Sequence, residues 1–395
     1  MRQKRKNATP TQSVSMIGPG FSGLNTELSA MEGVQNGTWA TVLQNAVYDD
    51  KSRISLRKGY TVETTTPITG AATVKVLHEY LNASGVVTLI AMTAGYEIWE
   101  STDDGATWAD ITGSLVTAHS DWQFVNYFGD VFATGTGHKV WKYDGTGTFT
   151  EVATSPVTRG VLLAAFGRLW AAVDADSTIF YSALLDGSDW TGTASGSIDT
   201  ANVWTQGYDE VRCLRAFGST LVVFGREHIV MYVDGAGSVL GIDPTQMYVV
   251  DTIEGTGIEH RDSAVNIGEG DLWFVSAVGV QSLSRVVADK ANPLVAVSKN
   301  QRSKVTDLLA NESGEVNSVK AIYSPEFHMV LFSFTGDNEY LMYDTQLQDQ
   351  DGAYRASVWT GMSDRPTMVV RRNGDIFFGL TGGEVGKYSN YRDDA

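Results

Sequence analysis

The chain has 395 residues, 43% of them hydrophobic and 19% charged, with 41 glycines, one cysteine and a formal net charge of −17. That is apolar material for two or three ordinary domains or one large β domain, while the lone Cys213 excludes an internal disulfide and a four-cysteine zinc site. Arg2, Lys4, Arg5 and Lys6 supply +4, so residues 7–395 carry −21, a body unsuited to wrapping a phosphate backbone.

In chain order, residues 1–52 read as an arm and connector. The first twenty are polar, with Pro10 and Pro19 and no periodicity, so they are expected to be irregular until a partner orders them. The basic start is followed by polar residues rather than a signal-peptide core, and no apolar run reaches the roughly eighteen residues of a membrane helix. The protein is therefore expected to stay where it is made and to have no membrane span. From about residue 53 to 395, short runs rich in Val, Ile, Leu, Phe, Tyr and Trp recur between Gly, Asp, Asn, Ser and Thr turns. Examples are Val86–Met92, Gln123–Thr134, Val161–Val173, Thr220–Val233, Asp271–Leu283, Met329–Phe334 and Thr367–Gly379. Glycines such as Gly129, Gly167, Gly218 and Gly374 sit inside the paired runs, as hairpin turns require.

An aromatic-bearing or apolar strand end repeats at Ile98-Trp99, Val140-Trp141, Ile179-Phe180, Val230-Met231-Tyr232, Val280 to Leu283, Leu341-Met342-Tyr343 and Gly386-Lys387-Tyr388. Steps of roughly 40–60 residues with several strands per unit are the pattern of a β-propeller. The expectation is an all-β propeller of six or seven blades, the seven marks favouring seven, with Arg53 to Arg57 as a possible closing strand of the last blade. Ser101-Thr102-Asp103-Asp104-Gly105-Ala106-Thr107-Trp108 fits the Asp-box S-x-D-x-G-x-T-W. Asp103 can bind backbone amides of its own turn, Gly105 can take positive φ, Ser101 and Thr107 complete the motif, and Trp108 can pack beneath. The motif pins a turn and carries no chemistry. One stretch breaks the β pattern: residues 298–310 predict a short helical insertion, capped by Ser298, with an apolar stripe of Val305, Leu308 and Leu309. Lys299, Arg302 and Lys304 cluster there, and with Arg2, Lys4, Arg5 and Lys6 they form the candidate interface.

No catalytic, metal or cofactor-binding residues are assigned. The six histidines lie in separate segments without ligand spacing, and neither a phosphate-binding loop nor a nucleophile elbow occurs. Gly18 to Gly23 reads as a kinked connector. The Asp-box raises one enzymatic alternative, a glycan-binding or sialidase-like glycosidase propeller, but there is one box only and the single Arg-Pro pair, Arg365-Pro366, lies late in the chain.

Several strings carry a resemblance. They are Gly23-Leu24-Asn25-Thr26-Glu27, Leu43 to Asp49, Ile54 to Tyr60, Gly167-Arg168-Leu169-Trp170 with Ile179 to Ala183 and Asp189-Trp190, Leu221 to His228, Gly257 to Ser263, and Leu272 to Leu283. In this order, over residues 20–310, the chain resembles the tail nozzle (tail hub, or DNA-stabilization) proteins of short-tailed bacteriophages. The resemblance implies a non-enzymatic virion protein, assembled in the host cytoplasm. It implies identical copies in a ring, commonly a hexamer, below the portal and its adaptor, extending the DNA ejection channel and anchoring spikes, fibres or a needle. An acidic wall agrees with this role, since it lets DNA pass without specific binding. The chain is shorter than the larger nozzle proteins, so a long distal tip domain is not expected.

Overall fold

The computed structural model describes residues 22–29, 38–49, 53–114, 121–173, 176–204, 209–235, 243–268, 270–289, 296–312, 317–348 and 352–389. These form a seven-bladed β-propeller. Blade 1 comprises Val74–Leu81, Val87–Thr93, Ile98–Ser101 and Ala109–Asp110, from the axis outward. Blades 2, 3 and 4 repeat this antiparallel meander from inner strands Gln123–Tyr127, Thr158–Ala165 and Cys213–Phe217. Blade 5 has three strands, Val265–Ile267, Asp271–Ser276 and Gly279–Ser282. Blade 6 starts at Val319–Ser324 and ends in Tyr354–Trp359. Blade 7 has Thr367–Val370, Ile376–Gly379 and Val385–Tyr388, and takes its outer strand, Tyr60–Val62, from the start of the chain. The seven recurring marks all fall on or beside third strands.

The packing follows from strand periodicity. Side chains alternate between the two faces of a strand, and each blade has a neighbour on both faces. In Val87–Thr93, Leu89 and Ala91 join the cluster shared with blade 7, while Ile90 and Met92 join the one shared with blade 2. In blade 4, Leu221 and Val223 face blade 3, and Val222 and Phe224 face blade 5. Second strands are therefore apolar on both faces, with few polar residues inside them, such as Thr88 and Ser333. Seven apolar clusters result, one at each junction between neighbouring blades.

Two expectations are corrected here. The closing strand is Tyr60–Val62, not Arg53 to Arg57, so the ring begins a few residues later than 53. Tyr60 buries its ring under the Arg365 guanidinium, 4.6 Å away, and donates to Asp364 at 2.8 Å. Ile54–Leu56 instead pairs with Ala46–Tyr48 and leaves Ile54 39% and Leu56 71% exposed. The helical insertion also differs. Among the described residues blade 5 has no fourth strand and carries α1 (Leu283–Asp289) and α2 (Arg302–Ala310), the latter entered by a 3-10 turn, Lys299–Gln301. Val305 and Leu308 are buried and Leu309 is partly buried against the blade 5–6 cluster. Ser298 does not cap the helix; its Oγ accepts from the Val280 N–H at 2.9 Å. The cap comes from far away in sequence, because Glu27 Oε1 accepts from the Ser303 N–H at 2.8 Å and its hydroxyl at 2.7 Å.

Glu27 belongs to a strap over the outer edge of blade 6. Gly23–Leu24 runs parallel to Trp39–Ala40, and residues 43–46 bond along Tyr354–Trp359: Asn45 N–H to Val358 O at 2.8 Å, Val358 N–H to Leu43 O at 3.0 Å and Trp359 Nε1 to Ala46 O at 3.1 Å. An outer strand that would otherwise present unpaired backbone groups is thereby covered. The approach is close enough that a side chain at Gly23 (φ +101°) would meet the Arg355–Ala356 backbone at 2.9 Å.

Candidate functional site: the axial cavities and the strap

Inner strands of different blades bring charged residues together on the axis. The Arg261 guanidinium, fully buried, extends from the lead-in to blade 5 toward blades 2 and 3. Nη1 donates to Asp121 O at 2.8 Å and to Gly160 O, while Nε and Nη2 hold Asp262 at 2.7 and 2.9 Å. Burial opposes ionisation of Asp262, but Arg261 outweighs it and holds the carboxyl below its usual range. Arg215 from blade 4 donates to Ala264 O at 3.2 Å and Arg261 O at 3.2 Å. The propeller axis is thus bridged by side chains rather than open.

Two cavities flank this bridge. One, of about 200 Å³, is lined by six blades and includes His78, Trp122, Phe124, Arg215, Asp262 and Lys320. Its lining contains no tyrosine or glutamate, and Arg215 directs its guanidinium into main-chain carbonyls. His78 bonds Asn126 Oδ1 through Nε2 at 3.1 Å, and burial pushes its imidazole down to about 4. The other cavity, of about 320 Å³, opens between blades 6, 7 and 1 and includes Lys75 and Lys320. The Lys320 ammonium donates to Lys75 O and, at 3.1 Å, to Thr367 Oγ1. Burial pushes Lys320 down to about 8, the Lys75 charge adding to the effect and Asp262 opposing it.

The Asp-box forms the loop between the outer two strands of blade 1. Asp103 Oδ1 accepts from Ser101 Oγ at 2.8 Å and Thr107 N at 2.9 Å, and Oδ2 accepts from Thr107 Oγ1 at 2.6 Å. The Thr107 bonds, with that from Ser101, hold the Asp103 carboxyl below its usual range. Gly105 has φ +93°, and Trp108 packs against the blade 7–1 cluster. The turn also reaches outward: Gly105 O accepts from Thr64 Oγ1 at 2.8 Å and Ala106 O from Thr65 N at 3.0 Å. It therefore grips the chain just beyond the closing strand. Sequence reasoning missed a further network, in which Asp209 accepts from the N–H groups of Glu210, Arg226 and Glu227 and pairs with His228 Nδ1 at 3.0 Å, beside Trp204. His228 itself carried no ligand spacing, and Asp209 is nineteen residues away in sequence.

Of the candidate interface, Lys299, Arg302 and Lys304 lie together at the start of α2, whereas Arg2, Lys4, Arg5 and Lys6 fall outside the described residues. Lys304 is paired with Glu339 at 2.6 Å, and Arg302 is exposed beside Glu27. The strap meets this helix directly: Thr26 N–H donates to Asn300 O at 2.9 Å and Gln301 Nε2 to Leu24 O.

This architecture is a seven-bladed β-propeller whose last blade is completed by Tyr60–Val62, a strand that precedes the first blade in sequence. No protein-family model matches the chain, and no curated protein matches it in sequence. Among solved structures it is similar to the WD40 propeller domain of Doa1, at 10% identity and a TM-score of 0.51, covering 84% of this chain and 97% of that one. It is also similar to YCF48 bound to a D1 peptide (15% identity, TM-score 0.48, covering 89% and 99%) and to streptogramin B lyase (13%, 0.48, covering 83% and 97%). These likenesses concern the fold alone.

Proposed function

We propose that this chain is a structural, non-catalytic component of a bacteriophage tail. Copies would form a ring, hexameric in the simplest reading, below the portal and adaptor, extending the DNA ejection channel and anchoring distal tail parts. The observation that carries this reading is the joint between the strap and α2. There Thr26 and Glu27 bond to Asn300 and Ser303, beside Lys299 and Arg302, and the sequence ahead of the strap carries four further cations, Arg2, Lys4, Arg5 and Lys6. Lys299 and Arg302, with the four cations ahead of the strap, would on this reading meet a neighbouring copy or the adaptor. Because the propeller axis is bridged by Arg261, a duplex whose major groove alone is about 12 Å wide would pass between copies rather than through one of them.

The test is deletion of residues 1–20 and, separately, Arg302→Glu with Lys299→Glu, in a phage encoding this chain. Both proteins should keep the wild-type circular dichroism and melt but fail to enter particles. Normal incorporation of both variants would overturn this rim as the contact region, and turnover of sialosides or bacterial polysaccharides by the pure protein would overturn the tail reading in favour of the glycan-active alternative.

A further inference from the structure

We propose that the cavity between blades 6, 7 and 1 binds a small ligand bearing an oxyanion, carboxylate or phosphate, on a hydroxylated body such as an acidic sugar. The proposal does not rest on the tail reading, and a sugar acid as the ligand would favour the glycan-binding alternative to it. Three features of the cavity carry it.

The first is charge. The chain has 46 acidic residues against 29 Lys and Arg, yet the lining holds two lysines, Lys75 and Lys320, and no carboxylate. Asp262, the acid whose charge acts on Lys320, is already held by two bonds from Arg261. The second is shape. Buried Asn317 and Ser318 form the floor beside Lys320, and exposed Asn338 and Thr381 stand at the mouth, so solvent reaches a polar pocket of about 320 Å³. Hydroxyl and amide groups around a cationic floor suit a ligand with hydroxyls around one negative group. The third is energetic. Lys320 is placed against the Lys75 main chain with a second ammonium nearby, and its charged form is disfavoured by burial. An anion between the two ammoniums relieves that repulsion, and by linkage its binding raises the affinity of Lys320 for its proton.

The experiment is isothermal titration of the full chain with sodium phosphate and with sodium glucuronate. Glucose and sodium chloride at matched ionic strength serve as controls. At pH 7 at least one of the two anions should bind saturably at one site, and the arm that binds distinguishes a phosphate from a carboxylate ligand. Lys75→Gln, at a partly exposed position, should weaken binding tenfold or more. Raising the pH from 7 to 9.5 should weaken wild-type binding as Lys320 loses its proton, with Lys75, Arg261 and Asp262 as the charges around it. Lys320→Met should abolish binding if it folds, as read by its melt; Lys75→Gln decides the matter if it does not. Absence of saturation by either anion, equal binding by Lys75→Gln, or equal binding of glucose would overturn the proposal.

Discussion

The Arg261 guanidinium donates to the main-chain carbonyl of Asp121, 140 residues earlier in the chain, at 2.8 Å. This bond joins the lead-in to blade 5 with the lead-in to blade 2, and the same nitrogen reaches Gly160 in blade 3. Neighbouring blades adhere through apolar clusters; Arg261 ties blades that are not neighbours, as Lys320 of blade 6 does by donating to Lys75 O of blade 1. Gly160 is required for the approach, since a side chain there (φ +74°) would meet Arg261 Nη1 at 3.0 Å. The bridge over the axis and the tie between these distant blades thus share one residue.

Arg261→Met should therefore be among the most damaging single substitutions in the protein. It leaves Asp262 without its partner and two buried carbonyls without a donor, and breaking such a pair costs about 3–5 kcal/mol. Asp262→Asn added to Arg261→Met should recover part of the loss, because the stranded charge is removed. Urea unfolding followed by tryptophan fluorescence measures both. A loss below about 1 kcal/mol for the single variant would show that the axial bridge contributes little.

The blades were legible because each repeats an apolar second strand and an aromatic or apolar third strand, and a two-faced neighbourhood leaves that mark on every unit. Choice of the closing strand was not legible. Arg53 to Arg57 and Tyr60–Val62 have similar β character, and the decision rests on whether a ring fits beneath Arg365, some 300 residues away in sequence. The helical insertion was visible from its apolar stripe, but its cap was not, since Glu27 arrives from the strap. The axial charges were invisible for a related reason. Lys75, Arg215, Arg261 and Lys320 stand singly in separate blades, and only the circular arrangement makes them neighbours.

At the Asp-box, backbone conformation should matter more than the carboxylate. Asp103→Ala removes an acceptor for three bonds in an exposed turn, which is worth about 1 kcal/mol. Gly105→Ala keeps those bonds and meets Val385 only at an ordinary 3.5 Å, but forces an L-residue to φ +93°, at about 1–3 kcal/mol. The strain also acts on Thr64 and Thr65 and hence on ring closure. Thermal melts should rank wild type above Asp103→Ala and Asp103→Ala above Gly105→Ala. The reverse order would mean that the side-chain bonds, not the turn geometry, hold the closing segment.

Acid should destabilise the protein in two separable windows. His78 is held neutral: its folded value of about 4 lies below the ordinary histidine value of about 6.5. Between those limits the unfolded chain binds a proton that the folded chain refuses, so His78 favours folding above pH 6.5 and loses that contribution as pH falls toward 4. The contribution is at most about 3 kcal/mol. The depressed carboxyls, Asp262 and Asp209 among them, act lower: their contribution is present above the unfolded carboxylate value near 4 and is lost as pH falls through their folded values. His78→Gln keeps a donor for Asn126 Oδ1 but cannot titrate. Urea midpoints at pH 7, 6, 5 and 4 should fall steadily for wild type and less steeply for His78→Gln, while below pH 4 both should fall together. Parallel curves across the upper window would show that His78 takes up its proton equally well in the folded ring.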